Sequence, residues 1–444
     1  MAHVVAYITG HGFGHATRMA AVIGALTERR PDLTVSLVST APEWLFRLNL
    51  SVPFCVRVRA LDVGVIQRDS IHLDSPGTLA AYARTQERQD ALIEEEAAVL
   101  RREAVDLVVA DIPPAAFPIA RRVGVPGVGI SNFSWDWIYA DYARSLPSYA
   151  PLVGAIREAY GQADLFLRLP FHGPCDAFPV VRDIPMIARR SRRSRQEIRQ
   201  RLGLPETRPV ILLSFGGLDI QGIDFDRVER LTEYLFLTTQ TPHRPVANLR
   251  AVALDGLCYE DLVAQADAVI TKPGYGIVSD CLANRTPVLY TSRGEFAEYA
   301  HLVEGLERFG VSRFIGNADL LAGNWRDAIA TLLGQPRSWT DLPANGADVA
   351  AEILETFLRP GLPGRGEAEP QLLRAVGQAT ATQCGKPTPV KERKGWSPRQ
   401  KDVRPPCFPL RSSWTISRFS PPCCGPSWSS RGSACSWPTA DRTG

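Results

Sequence analysis

At 444 residues the chain exceeds what one hydrophobic core usually supports, so two domains are expected. Hydrophobic residues make up 45% and charged residues 22%, which excludes a fibrous or wholly disordered chain and fits an ordinary globular protein. A formal net charge of +3 gives no ground for a nucleic-acid partner; no apolar run approaches a membrane span, and the start lacks the basic and long apolar regions of a secretory signal, so a cytoplasmic location is expected.

In chain order, Val4–Thr9 reads as a strand, followed by a glycine-rich turn and a helix through about Arg30. Thr34–Ser39 and Pro53–Leu61 are further strand candidates, and Leu79–Glu103 has long helical character. Asp106–Ala110 and Val125–Ser131 are compact apolar strands, and Leu165–Leu169 closes the first unit. Strands alternating with helices predict a parallel sheet covered on both faces. Pro170–Arg201 is rich in Pro and Arg and reads as a solvated linker running into a basic helix, with an anion site as the alternative. A second α/β unit follows, with strands predicted at Pro209–Phe215, Glu233–Thr238, Ala251–Leu254, Asp267–Thr271 and Pro287–Thr291. Helices are predicted at Tyr259–Ala266, Gly276–Ala283 and Ala347–Leu358. The expected organisation is an N-terminal domain over 1–169, a basic linker and helix over 170–205, and a C-terminal domain over 206–359. After Pro360 the chain is rich in Pro, Ser, Arg, Cys and Trp and keeps no period. A disordered, non-native tail is expected over 360–444, of a kind that out-of-frame coding sequence would produce.

Nine cysteines are present, none in a C-x-x-C or Cys/His metal spacing, so no metal site is expected.

Three constellations carry chemistry. The first is Gly10-His11-Gly12-Phe13-Gly14-His15-Ala16-Thr17-Arg18, between the first strand and the first helix. Its glycines allow a tight turn and close ligand approach, and the helix start offers free N–H groups. The spacing is not that of the dinucleotide fingerprint, which would need glycine where His15 stands. A histidine at a strand end suits general-base work on a hydroxyl, and His15 is the candidate; a histidine that only hydrogen-bonds its loop is the alternative, and an open one for His11. Second, Asp111 ends the strand before it, where it can orient an imidazole or cap a turn before Pro113. Asn132, Ser134, Trp135 and Asp136 follow the next strand as a polar and aromatic lip able to contact a sugar, or as a packed loop. Third, Lys272-Pro273-Gly274-Tyr275-Gly276-Ile277-Val278-Ser279-Asp280 joins a strand to a helix. Its helix start can hold a diphosphate, Lys272 can neutralise phosphate, and Asp280 can accept from ribose hydroxyls. Ser214, Gly216 and Gly217 form a companion loop. The absence of G-x-x-x-x-G-K-[ST] excludes a P-loop.

Gly10–Arg18, Asn132–Asp136 and Lys272–Gly276 together resemble the N-terminal glycosyltransferase-like region of plant L-arabinokinases and its bacterial stand-alone relatives, over roughly residues 3–358. The resemblance implies a GT-B fold: two Rossmann-like, doubly wound parallel-sheet domains facing a cleft, the C-terminal one holding a nucleotide-sugar. A more distant likeness to the lipid-intermediate N-acetylglucosaminyltransferase and to the glucuronosyl/glucosyltransferases implies a histidine base paired with a downstream aspartate, matched by His15 and Asp111. It also implies a donor turn matched by Gly274–Asp280, although those motifs usually carry Glu at the position of Asp280. Nothing after Pro360 matches the sugar-kinase domain that follows in the plant proteins, so kinase activity is not carried over.

The expected function is a metal-independent, inverting transfer of a sugar from a nucleoside diphosphate sugar, with UDP as the expected carrier, to a hydroxyl acceptor. His15 and Asp111 would be catalytic. Gly216, Gly217, Lys272, Gly274, Tyr275, Gly276, Ser279 and Asp280 would bind donor. His11, Gly12, Gly14, Arg18, Asn132, Trp135 and Asp136 would bind acceptor. No cofactor beyond the nucleotide-sugar substrate is expected, and contact with a membrane surface stays open. Two alternatives are a UDP-sugar epimerase on the same fold and a non-catalytic sugar-nucleotide sensor.

Overall fold

The computed structural model describes residues 2–67, 72–216 and 222–358. The expected tail over 360–444 and the candidate Gly217 lie outside the described residues.

β1 (His3–Ile8) is buried along its whole length, as a central strand of a parallel sheet covered on both faces must be. It turns through Gly12, whose φ of 77° only glycine adopts without strain, into α1 (Phe13–Arg29). Met19, Val22, Ile23 and Leu26 recur on one stripe of α1 and are buried, which docks the helix on the sheet. β2 (Thr34–Val38), β3 (Cys55–Arg57), β4 (Leu107–Asp111), β5 (Gly127–Ser131), β6 (Leu165–Arg168) and β7 (Val181–Asp183) complete a seven-stranded sheet. Its order is β3-β2-β1-β4-β5-β6-β7, parallel throughout. α2 (Trp135–Ser145) leaves the end of β5. The sheet therefore continues past Leu169, where the apolar pattern stops: β7 is the edge strand Val-Arg-Asp and gives no apolar run.

The second sheet holds β8 (Val210–Ser214), β9 (Leu235–Thr238), β10 (Leu249–Ala251), β11 (Ala268–Thr271), β12 (Val288–Tyr290) and β13 (Ser312–Phe314). Its order is β10-β9-β8-β11-β12-β13, again all parallel. α3 (Tyr275–Ala283) follows β11, and α4 (Glu298–Phe309) follows β12. α5 (Gly346–Thr356) returns to pack on α1, and Arg29 at the end of α1 pairs with Glu355 of α5 at 2.7 Å.

Both sheets reverse strand order beside their first strand, between β1 and β4 and between β8 and β11. In open α/β sheets the crevice at such a reversal, beyond the carboxyl ends of the strands, is where ligands bind. The two crevices open onto one cavity.

Candidate functional site

The cavity has a volume of about 1300 Å³ and is walled by both sheets' loops. From the first come Gly10–His15, Thr17, Arg18 and Asp62; from the second come Ser214–Gly216, Lys272, Gly274–Gly276 and Asp280.

Register builds the first wall. Ile8 at the end of β1 pairs with Asp111 at the end of β4, and the Thr9 N–H donates to the Asp111 carbonyl at 2.8 Å. Within the first turn of α1, His15 then lies over the neighbouring strand end, and its Nδ1 is 2.8 Å from Asp111 Oδ1. Arg18, three residues on along the same helix face, donates Nε to Asp111 Oδ2 at 2.5 Å and Nη2 to Asp111 Oδ1 at 2.6 Å. The same Nη2 donates to Ser131 Oγ at 2.8 Å and lies 2.9 Å from His15 Nδ1. A guanidinium Nη carries two protons, and the two oxygens take both. His15 Nδ1 is therefore a proton donor to Asp111, not an acceptor from Arg18. In the neutral imidazole this arrangement places the lone pair on Nε2, which has no hydrogen-bond partner among the described residues. Burial pushes the Asp111 carboxyl up, and the Arg18 and His15 charges more than offset this, so it sits below its ordinary value. Burial likewise works against the Arg18 cation, but Asp111 raises it, and the pair stays ionised.

His11 differs from His15. It is packed edge-on against Trp135, with the Val65 N–H donating to its Nδ1 at 3.2 Å. Burial first, then the charges of Arg293, His15 and Lys272, hold it well below its ordinary value. It is a neutral wall residue of the cavity.

The second wall is the turn Lys272–Gly276. Gly276 and Gly14 touch across the cavity, so the first turns of α3 and α1 meet. Lys272 Nζ donates to Gln67 Oε1 at 3.2 Å, and the Arg18 guanidinium lies 5.2 Å from the Tyr275 ring centre. The Tyr275 hydroxyl accepts from the Ile187 N–H at 3.3 Å.

Several expected contacts fall elsewhere. Trp135 and Asp136, expected at an acceptor lip, lie beneath it. Trp135 is the first residue of α2, and its ring stacks on Tyr139 four residues on, while its Nε1 donates to Asp62 at 2.9 Å. Asp136 is buried and paired with Arg157 at 2.9 Å. Asn132 is fully buried behind Arg18. Ser279 turns back to the Gly276 carbonyl of its own helix at 2.9 Å. Asp280 reaches the cavity but is held by Arg189, which donates its backbone N–H to Oδ1 at 2.9 Å and its Nη2 to Oδ2 at 2.5 Å. The linker arginines are thus not simply solvated: Arg189 binds Asp280, Arg193 binds Asp261, and Arg195 and Arg199 bind Asp267.

The structure adds residues that no motif marked. Asp62 faces the cavity, accepting from Thr9 Oγ1 at 2.9 Å and from Trp135. Burial pushes its carboxyl up to about 6, against those two hydrogen bonds. Arg293 and Glu298, at the β12–α4 connection, are buried and paired at 2.9 Å. Among the described residues there is no cluster of three or more His, Cys, Asp or Glu able to hold a metal. No described helix is long and apolar enough to cross a membrane.

Two parallel sheets facing one cleft across paired strand-order reversals define the GT-B fold. Solved GT-B structures match over most of the chain. The glycotransferase of kitacinnamycin is 15% identical with a TM-score of 0.53, covering 85% of this chain and 98% of its own. Phytolacca americana UGT2, complexed with UDP-2fluoro-glucose and pterostilbene, is 14% identical with a TM-score of 0.53, covering 85% and 99%. In sequence the chain is similar to the L-arabinokinase of Arabidopsis thaliana, 33% identical over 355 residues. That stretch is 79% of this chain and 34% of the relative, so the chain spans about a third of the length of the plant protein. No family model matches.

Proposed function

We propose that the protein transfers a sugar from a nucleoside diphosphate sugar, UDP-linked, to a hydroxyl acceptor, with inversion. The observation that carries this reading is the His15–Asp111 pair at 2.8 Å, facing the first turn of α3 across the cavity. His15 Nε2 takes the acceptor's hydroxyl proton as the acceptor oxygen bonds to the anomeric carbon. The bond from that carbon to the diphosphate oxygen breaks on the opposite face, and its electron pair leaves with the diphosphate. Asp111 holds the imidazole in the required tautomer and faces the imidazolium that forms. The N–H groups at the start of α3 and the Lys272 ammonium stabilise the charge growing on the diphosphate. Gly216, Gly274 and Gly276 leave room for it, and the acceptor lies against His11, Gly12 and Gly14.

A second reading, epimerisation of the nucleotide-sugar itself, is favoured by one observation: Asp62, with its carboxyl pushed up to about 6, faces the same cavity as a second acid–base group. Calorimetric titration with UDP, then with UDP-, GDP- and TDP-sugars, tests both. Binding of one nucleotide, lost in Lys272→Ala, supports the donor site. Product analysis with and without acceptors then separates transfer, abolished in His15→Ala, from epimerisation, which needs no acceptor. A folded protein that binds none of these nucleotides would overturn both readings.

A further inference from the structure

A chain of buried hydrogen bonds runs from the donor turn to the base. It starts at the Pro273 carbonyl, which accepts from Arg293 Nη1 at 3.3 Å. The same nitrogen donates to Glu298 Oε2 at 2.9 Å. Glu298 Oε1 accepts from Asn132 Nδ2 at 2.8 Å, and this bond crosses between the two halves of the protein. Asn132 Oδ1 accepts from Arg18 Nη1 at 3.0 Å. Arg18 grips Asp111 through two nitrogens, and Asp111 accepts from His15 Nδ1. Arg293, Glu298, Asn132, Arg18, Asp111 and His15 are all less than a tenth exposed.

The arrangement has a direction. Asn132 stands between a guanidinium and a carboxylate, so its amide satisfies both in one orientation only, oxygen to Arg18 and nitrogen to Glu298. Lone polar groups at this depth are costly, so each member stays in register only while its neighbours do. Arg18 in turn decides the tautomer of His15, because its Nη2 saturates on oxygens and leaves Nδ1 to Asp111. When the halves separate, the bond from Glu298 to Asn132 is the one that must break.

We propose that Glu298 is a positioning residue: from the nucleotide side of the cleft it holds the His15 base in register through Asn132, Arg18 and Asp111, so that the base is aligned only in the closed protein. The role assigned to the base rests on the transferase reading; the coupling itself does not.

The test follows the His15 imidazole by NMR in the full chain with labelled histidine, its signal identified among seven histidines by its loss in His15→Gln. Glu298→Ala is expected to loosen the hydrogen bond from His15 Nδ1 to Asp111, seen as a displaced Nδ1 resonance, because Asn132 and then Arg18 lose the partners that hold them in register. Glu295→Ala removes the same charge from an exposed site on the same loop and is expected to leave the Nδ1 resonance in place. Should Glu298→Ala fail to fold, Glu298→Gln has the same volume but cannot offer separate oxygens to Asn132 and Arg293, and the same shift is expected. In assays, Glu298→Ala should lower kcat about 10- to 100-fold, the cost of a misplaced base, with the Kd for UDP within about threefold of wild type. An unmoved His15 Nδ1 resonance in both Glu298 variants, or an equal displacement in Glu295→Ala, overturns the proposal. If the wild type transfers no sugar while His15 still responds to Glu298, the transferase reading falls and the coupling stands.

Discussion

Gly14 and Gly276, each the second residue of its helix, meet across the cleft: a Cβ built on Gly276 would lie 3.4 Å from the Gly14 Cα. Two helix starts, each with free N–H groups and a positive dipole end, are thereby brought to one point. A single methyl group fits at either position in van der Waals contact, and Gly276 is the tighter of the two. Gly14→Ala is expected to fold normally, since its Cβ would sit at 3.7 Å from Gly276 N, an ordinary contact. Gly276→Val adds branched bulk where the space is already short. It should reduce affinity for UDP at least about tenfold, which is about 1.4 kcal/mol, in a calorimetric titration. Unchanged affinity in Gly276→Val would remove this junction from the donor site.

Stability and chemistry separate at Asp111. Asp111→Ala leaves the Arg18 cation buried and unpaired, and removing one partner of such a pair costs about 3–5 kcal/mol. In His15→Ala, by contrast, Arg18 and Asp111 keep both of their mutual bonds. Urea denaturation should therefore show a large loss for Asp111→Ala and a small one for His15→Ala. Transfer should fall about 10²- to 10⁴-fold in His15→Ala, the range for a lost general base. A His15→Ala protein that transfers at the wild-type rate would exclude the proposed base.

The parts of this site that were legible in sequence are those tied to strand ends and glycine turns. β1, β4, β5, β8 and β11 are apolar runs ending in a marked turn, and His15, Asp111 and Lys272 sit at those ends. Their positions follow from parallel-sheet geometry alone. Asp62, Arg293 and Glu298 follow no apolar run ending in a marked turn: Asp62 is held by Thr9 and Trp135 of its own half, and Glu298 by Arg293 and, from the other half, by Asn132. The run Asn132-Phe133-Ser134-Trp135-Asp136 was open to a surface reading because polar and aromatic residues alternate; the start of α2 at Trp135 is what turns its ring inward. Arg189 was visible only as one arginine in a basic run, since its partner Asp280 lies 91 residues away.

Asp62 predicts a pH dependence. Burial lifts its carboxyl from an ordinary 3.8 to about 6, so the folded protein holds a proton there that the unfolded chain releases. The stability contributed by that proton is complete below the ordinary value and is lost as the pH rises through about 6. Asp62→Asn keeps a neutral group in place at every pH. Relative to wild type, the variant should gain on the order of 1–2 kcal/mol between pH 4.5 and pH 7.5 in urea denaturation. A difference between the two proteins that does not change with pH would show that Asp62 titrates normally.

The Arg189–Asp280 pair bears on how ribose is held. Asp280 spends both oxygens on Arg189, and Arg189 Nη1 also reaches Asn49 Oδ1 of the first half at 3.3 Å. Asp280 is thus an anchor for the connection between the sheets as well as a wall of the cavity. A residue that only contacted ribose would lose nucleotide affinity on mutation and little stability. Asp280→Ala instead strands the guanidinium and should cost about 3–5 kcal/mol in urea denaturation. Arg189→Met combined with Asp280→Leu replaces the pair with apolar groups and should recover most of that loss, because neither charge is then left alone. Calorimetry with UDP on the double variant completes the comparison: retained binding assigns Asp280 to the connection, and binding lost in a stable protein assigns it to the ribose.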